Sequence, residues 1–230
     1  MLAFYDSRDR LLRIALTGDS RAVLGRRTET SNGRYFYEVH VLSVDQNADN
    51  AQEVTWLKNL HPREAIVKKG LILGRRMSRA FGEGVYKWSI ATQTRLFEEY
   101  LGELPPPDVK TPPYSTAEPE VTTVTVHPGD FLILGTKCLW ESLTNEEAVG
   151  LVAWWLKTDD SGGTRKRNEL PVKVGEDRTT MYRRWRIEKT FVNVDHNAAT
   201  HLARNALGGA NNDLTSALLN MSPPYSRKYR

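Results

Sequence analysis

Three kinds of side chain in this sequence invite a chemical reading: Ser20, Cys138 and a set of carboxylates beside turns. Ser20 stands in Gly18-Asp19-Ser20, as a nucleophilic serine of one esterase class would, but that class needs a downstream Asp-x-x-His. Asp195 is followed directly by His196, His201 has no Asp three residues before it, and Arg21 replaces the leucine usual after such a serine. Cys138 would need a phosphate-cradling loop ending in Arg six residues later, and that position is Thr144. The carboxylates fall in three segments. Asp19 lies in Leu16-Thr17-Gly18-Asp19-Ser20-Arg21, and Glu83 closes Ser78-Arg79-Ala80-Phe81-Gly82-Glu83. Glu141 ends Phe131-Leu132-Ile133-Leu134-Gly135-Thr136-Lys137-Cys138-Leu139-Trp140-Glu141. Each segment alone is weak evidence, because Gly and Asp suit turns for purely conformational reasons.

Taken together, in this order and spacing, the three segments resemble the 2C-type (PPM-type) metal-dependent serine/threonine protein phosphatases. That family's pattern runs Gly-Asp-Ser-Arg, then Ser-Arg-Ala-Phe-Gly-Asp, then Phe-Leu-Ile-Leu-Ala-(Ser/Thr)-Asp-Gly-Leu-Trp-Asp. The flanks point to its pyruvate dehydrogenase phosphatase branch: Tyr5-Asp6-Ser7-Arg8, Thr111-Pro112-Pro113-Tyr114, and Asn197-Ala198-Ala199-Thr200-His201-Leu202 before Gly208-Gly209. The resemblance implies an α+β fold, a β-sandwich flanked by helices. It also implies two Mn²⁺ or Mg²⁺ ions held by carboxylates, which suit such hard cations. The ions activate a water that attacks a phosphoprotein substrate, with both oxygens of the displacement stabilised by the metal pair. The pyruvate dehydrogenase complex as partner and a mitochondrial location follow from the branch alone.

The sequence departs from the family pattern where the metals should bind. Lys137 stands at a metal-binding Asp, Cys138 at Gly, Glu141 at the Asp of Leu-Trp-Asp and Glu83 at the Asp of Phe-Gly-Asp. The family's Asp-Gly-His-Gly-Gly segment and its closing Asp-bearing strand have no counterpart, so the domain is expected to be incomplete at both ends. Asp19 is the acidic position retained, and in the family it belongs to a peripheral third metal site. The expected centre is thus degenerate, with Asp19 and Glu141 as remaining ligands. A lysine ammonium ~4 Å from a divalent ion costs roughly 8 kcal/mol at an effective dielectric near 20. Lys137 is expected to fill the metal pocket and pair with Glu141 or Asp19, leaving the chain inactive. A pseudophosphatase, binding phosphoprotein through Arg21, Arg75, Arg76 and Arg79, is the alternative, and a truncated gene product is another. Cys138 is expected to be packed after a strand.

Composition narrows the partners. The 230 residues suit one domain with a real core, 40% being apolar. A net charge of +4 is small, and the basic residues alternate with acids, as in Arg8-Asp9-Arg10, so no nucleic-acid partner is expected. No apolar run approaches the ~20 residues of a membrane helix. One cysteine permits neither a disulfide nor a cysteine-rich zinc site. Asp6 and Asp9 follow the apolar start too closely for a transit peptide. The chain expressed as it stands is therefore expected in the cytoplasm.

The elements that would position these residues follow from pattern. Leu2–Tyr5 and Leu11–Thr17 read as a hairpin, and Arg21–Leu24 and Tyr35–Val44 as strands. Glu53–Leu60 has helical spacing, stopped by Pro62. Ile66–Leu73 reads as a hairpin around Lys69-Gly70. Residues 82–113 read as loop, with a short helix near Thr94–Leu101. Val121–Val126 and Phe131–Thr136 read as a hairpin about His127-Pro128-Gly129-Asp130. Thr144 and Glu147 form a capping box for a helix to Leu156, with Val149, Val152 and Leu156 on its buried face. A charged mobile loop is expected at about 158–190, then helices over Ala198–Leu207 and after Asp213.

Overall fold

A computed structural model of the chain describes residues 1–29, 31, 33, 35–157, 165–167, 170 and 176–226. Strands β1 (Leu2–Asp6), β2 (Leu11–Leu16), β3 (Arg21–Glu29) and β4 (Tyr35–Val41) come first, followed by α1 (Ala51–Leu60). Next are β5 (Val67–Lys68), β6 (Leu71–Ile72), α2 (Ile90–Tyr100), β7 (Glu120–Thr125) and β8 (Phe131–Gly135). The rest is largely helical: α3 (Lys137–Ser142), α4 (Asn145–Leu156), β9 (Arg165–Arg167), α5 (Met181–Trp185), β10 (Phe191–Asn193), α6 (Ala198–Ala206) and α7 (Asn212–Asn220). Packing separates two compact units: Met1–Ser20 with Ser43–Thr125, and Arg21–Leu42 with Val126–Arg230.

In the first unit an antiparallel sheet runs β1-β2-β7, with Leu2 opposite Ala15 and Leu11 opposite Thr125. Period-two alternation in β2 buries Leu12, Ile14 and Leu16 and leaves Arg13 exposed. Helix α1 starts where Asn50 accepts the Gln52 N–H at 2.9 Å, and it ends before Pro62. The β5–β6 hairpin turns through Lys69 and Gly70, with φ of 51° and 72°. Two positive φ values make the turn twist with its strands. Around these elements Leu57, Ile66, Ile72, Val109 and Tyr114 form a core.

The second unit holds the antiparallel sheet β4-β3-β8. At its centre Gly25 lies opposite Phe131, and a Cβ there would come within 2.3 Å of the phenyl ring. Helix α4 carries the expected capping box: Thr144 Oγ1 accepts the Glu147 N–H at 3.1 Å, and Glu147 Oε2 accepts the Thr144 N–H at 2.8 Å. Residues Glu147 to Trp154 are buried, so the helix is covered nearly all round. Leu156, expected on the buried face, is 48% exposed because the helix ends there. Val23, Ile133, Trp140, Leu151, Phe191 and Leu202 belong to the core beneath α4.

Two expectations change. The turn His127–Asp130 forms as read, with the Asp130 N–H donating to His127 O at 3.0 Å and Gly129 at φ 90°. The strands it joins do not pair with each other: β7 pairs with β2, and β8 pairs with β3. Asp130 explains the departure of β8, since its carboxylate accepts the Arg27 N–H at 3.1 Å and Arg26 Nε at 3.3 Å, both on β3.

The charged segment expected to be mobile over about 158–190 lies partly outside the described residues. Its later part, 176–190, is packed rather than loose: it contains α5 and buries Thr179, Met181 and Tyr182. Tyr182 donates its hydroxyl to Asn205 O at 2.5 Å, and the Lys189 ammonium reaches Glu147 at 2.7 Å and Asp177 at 2.9 Å. Two apolar side chains among the charges supply the burial that composition alone concealed.

Candidate metal centre

Asp19 stands in the turn after β2, and a buried glutamine sets that turn. Gln46 Oε1 accepts the Gly18 N–H at 2.9 Å, Gln46 Nε2 donates to Leu16 O at 3.3 Å, and Gln46 N donates to Gly18 O at 3.0 Å. Gly18 has φ 110°, a conformation that L side chains rarely adopt, so glycine is required there. Asp19 itself is half-buried. Arg21, which opens β3, donates to Asn145 Oδ1 at 2.9 Å and lies 5.3 Å over the Trp140 ring.

The second segment is anchored by Glu53 in the first turn of α1. Its carboxylate takes the Ser78 hydroxyl at 2.5 Å and Arg79 Nε and Nη2 at 3.0 and 2.7 Å. These charge-assisted bonds hold the Arg79 guanidinium in its charged form, raising its pKa against the opposing effect of burial. Glu83, in the left-handed conformation, pairs with Arg75, whose guanidinium stacks 3.7 Å over the Tyr86 ring.

The third segment turns sharply from β8 into α3. Trp140 Nε1 donates to Gly135 O at 3.0 Å and so ties the helix back to the strand end. Lys137 opens the helix, and one turn later Glu141 lies beside it, with Nζ 3.4 Å from Oε1. Both are about a quarter to a third exposed, at 26% and 31%. Glu141, one of the two partners expected for Lys137, thus lies within ion-pair distance of it. Cys138, expected to be packed, is exposed, because α3 begins one residue earlier and turns this position outward.

The arrangement bears on the metals that the sequence pattern implies. The ammonium of Lys137 already neutralises Glu141, and a divalent ion brought to this carboxylate would meet that positive charge. Among the described residues no three His, Cys, Asp or Glu side chains converge on a common point. The donors that α3 offers thus do not fit a divalent cation.

The arginines named as phosphate binders are already engaged. Arg21 is bound to Asn145, Arg75 to Glu83 and Arg79 to Glu53, while Arg76 makes a loose, exposed contact of 3.4 Å with Asp49. His201 is fully buried on α6, and its Nδ1 lies 3.4 Å from Asn205 Nδ2. The residues that sequence reading passed over are Gln46 and Glu53. Gln46 lies in the polar run 43–50, where one more polar residue passes unnoticed, and Glu53 stands in the first turn of a helix, where an acid is unremarkable. Only their burial marks them as anchors.

A family model, described as protein phosphatase 2C, matches residues 1–170. The chain belongs to the protein phosphatase 2C family. It is 41% identical to a protein phosphatase 2C homolog of Schizosaccharomyces pombe over the whole of this chain and 50% of that protein. It is also 36% identical to the human mitochondrial [pyruvate dehydrogenase [acetyl-transferring]]-phosphatase 1, over 95% of this chain and 43% of that protein. The chain spans about half the length of these curated relatives. A solved phosphatase of Toxoplasma gondii is similar over 60% of this chain and 32% of its own, at 21% identity and a TM-score of 0.39. The mixed α and β architecture with antiparallel sheets accords with this family, which is generally metal-dependent. No helix among the described residues is long and apolar enough to cross a membrane.

Proposed function

We propose that the chain is a pyruvate dehydrogenase phosphatase-like member of its family that does not hydrolyse phosphate esters as it stands. The observation that carries this is the Lys137–Glu141 pair, 3.4 Å apart, at the place where the family pattern has a metal-ligating aspartate. An ammonium in that place brings a fixed side-chain charge, where the family relies on an exchangeable ion that also activates water. Lys137 can neither bind that water nor lower its pKa as a divalent ion does. Asp19 and Glu141 would be the vestige of the metal set. A phosphoprotein, with the pyruvate dehydrogenase complex as the first choice, and a mitochondrial site of action are proposed from the relatives' names.

The test is hydrolysis of p-nitrophenyl phosphate and of a phosphoserine peptide with Mn²⁺ or Mg²⁺ present and absent. No metal-dependent turnover above background is expected. Metal-dependent turnover that disappears in Asp19→Ala would overturn the proposal and assign this chain an active centre. The second reading, a non-catalytic phosphoprotein binder, is disfavoured by the internal engagement of Arg21, Arg75 and Arg79.

A further inference from the structure

Helix α2 begins anchored to the first unit and ends without cover. Ile90 packs against the core of that unit, and the buried Gln93 donates Nε2 to Val85 O at 2.9 Å and to Trp88 O at 2.8 Å. Phe97 and Tyr100 lie four and seven residues beyond Gln93, so they continue the same face. Both are exposed, as are Leu101 and Leu104 after the helix, and Leu101 is completely so. The apolar face thus runs on past the core that its first turns cover.

Leu101 is also held in place. It caps the helix at φ 57° and ψ 28°, and the Gly102 N–H donates to Leu96 O at 2.9 Å. A left-handed cap is ordinarily glycine, and a leucine there carries a backbone penalty. A completely exposed side chain returns nothing to the fold against that penalty. Association, by contrast, favours a group already fixed in position, because less freedom is lost on binding.

Charge around the patch selects the partner. Glu98, Glu99 and Glu103 flank it, against a single base, Arg95, whose Nε donates to Glu99 at 3.0 Å. Glu98 and Glu103 meet no counter-ion among the described residues. The chain as a whole carries +4, so this is an acidic end on a basic protein. Acids around apolar groups repel an anionic bilayer and favour a cationic protein surface.

We propose that the C-terminal end of α2 is a docking site for a basic amphipathic helix of a partner protein. Phe97, Tyr100 and Leu101 meet its apolar stripe, helix packing on helix, and Glu98 and Glu103 meet its lysines or arginines. The site is separate from phosphate-ester chemistry, and its test does not depend on activity.

The probe is a fluorescein-labelled peptide of about 14 residues, with leucines at helical spacing and lysines elsewhere, titrated with the full chain by anisotropy. Binding is expected, and it should weaken as salt rises. Leu101→Gly should weaken it by about tenfold or more without lowering the melting temperature, because glycine takes this backbone conformation without penalty. Glu98→Lys combined with Glu103→Lys should weaken it as much. Glu188→Lys, at an exposed position of the second unit, should leave it unchanged.

No binding of the peptide, or an equal loss with Glu188→Lys, would overturn the proposal. A lower melting temperature in Leu101→Gly would assign the leucine to this chain's own fold and likewise overturn it. So would binding to phosphatidylserine vesicles that Leu101→Gly abolishes, which would point to a membrane. A dimer of the peptide-free chain that is lost in the same variant would overturn it in favour of a second copy.

Discussion

Glu53 on α1 grips Arg79 with both carboxylate oxygens, at 3.0 Å to Nε and 2.7 Å to Nη2, and the same carboxylate takes the Ser78 hydroxyl. The pair is largely withdrawn from water, with side-chain exposures of 6% for Glu53 and 19% for Arg79. It ties the Ser-Arg-Ala-Phe-Gly segment to a helix some 25 residues earlier. Removing one partner leaves the other charge buried without compensation, which costs about 3–5 kcal/mol when the pair is fully enclosed. Arg79 is partly exposed, so Glu53→Ala is expected to cost about 2–4 kcal/mol in urea unfolding. A loss under 1 kcal/mol would mean that water already carries the guanidinium.

Lys137→Asp removes the ammonium from α3 and adds a carboxylate. Among the described residues it still leaves too few converging donors for an octahedral oxygen set of the kind Mn²⁺ and Mg²⁺ require. Calorimetric titration of this variant with Mn²⁺ should show no binding tighter than the millimolar range. Micromolar affinity from the single change would reveal ligands beyond Asp19 and Glu141.

Acid should weaken the second unit through His201. Burial lowers its pKa from the ordinary 6.5, with Arg204 adding to the shift while Asp195 and the Leu151 backbone oppose it. The unfolded chain then binds a proton at this site before the folded chain does. Stability contributed by neutral His201 is present above about pH 6.5 and falls as pH drops from there toward the folded pKa, by at most about 1.4 kcal/mol per pH unit. Below the folded pKa the loss levels off. Melting temperature against pH should slope down below pH 6.5, and His201→Gln should flatten that slope. An unchanged slope in the variant would place the acid sensitivity elsewhere.

Gly209 and Gly82 offer a controlled comparison. Both have positive φ, of 60° and 68°, yet a Cβ on Gly209 would sit 2.3 Å from the Thr190 carbonyl oxygen, while one on Gly82 meets nothing within 4 Å. Gly82→Ala should cost only the backbone penalty, about 1–2 kcal/mol. Gly209→Ala adds a clash with backbone that cannot swing aside, and should cost roughly 1–3 kcal/mol more. Equal losses in chemical unfolding would show that the backbone at Thr190, just before β10, gives way.

Local signals were legible residue by residue. Thr144 with Glu147 starts α4 as read, because the two side chains satisfy amide groups within the first turn. Lys69-Gly70 and His127–Asp130 form turns because short-range torsional preferences decide them. The Lys137–Glu141 pair was one of two pairings that the sequence left open, and helix α3, which was not read there, brings side chains four residues apart together. The motif segments likewise pointed to the family without any coordinates.

Long-range choices were not legible. The turn at His127–Asp130 looks the same whether its strands pair together or apart, and Asp130 bonding to Arg26 and Arg27 settles β8 on β3. Likewise the carboxylate that meets each arginine depends on which segments come together: Glu53 lies 26 residues before Arg79 in sequence, and Asn145 lies 124 residues beyond Arg21. The exposure of Cys138 turns on the residue at which α3 begins, and the burial of Met181 and Tyr182 on what α5 packs against. Sequence by itself determined the turns, caps and neighbouring pairs, whose energies lie within a few residues. Tertiary structure alone decided the long-range strand partners and the buried ion pairs, because burial and pairing free energies depend on groups that the chain brings together only when it folds.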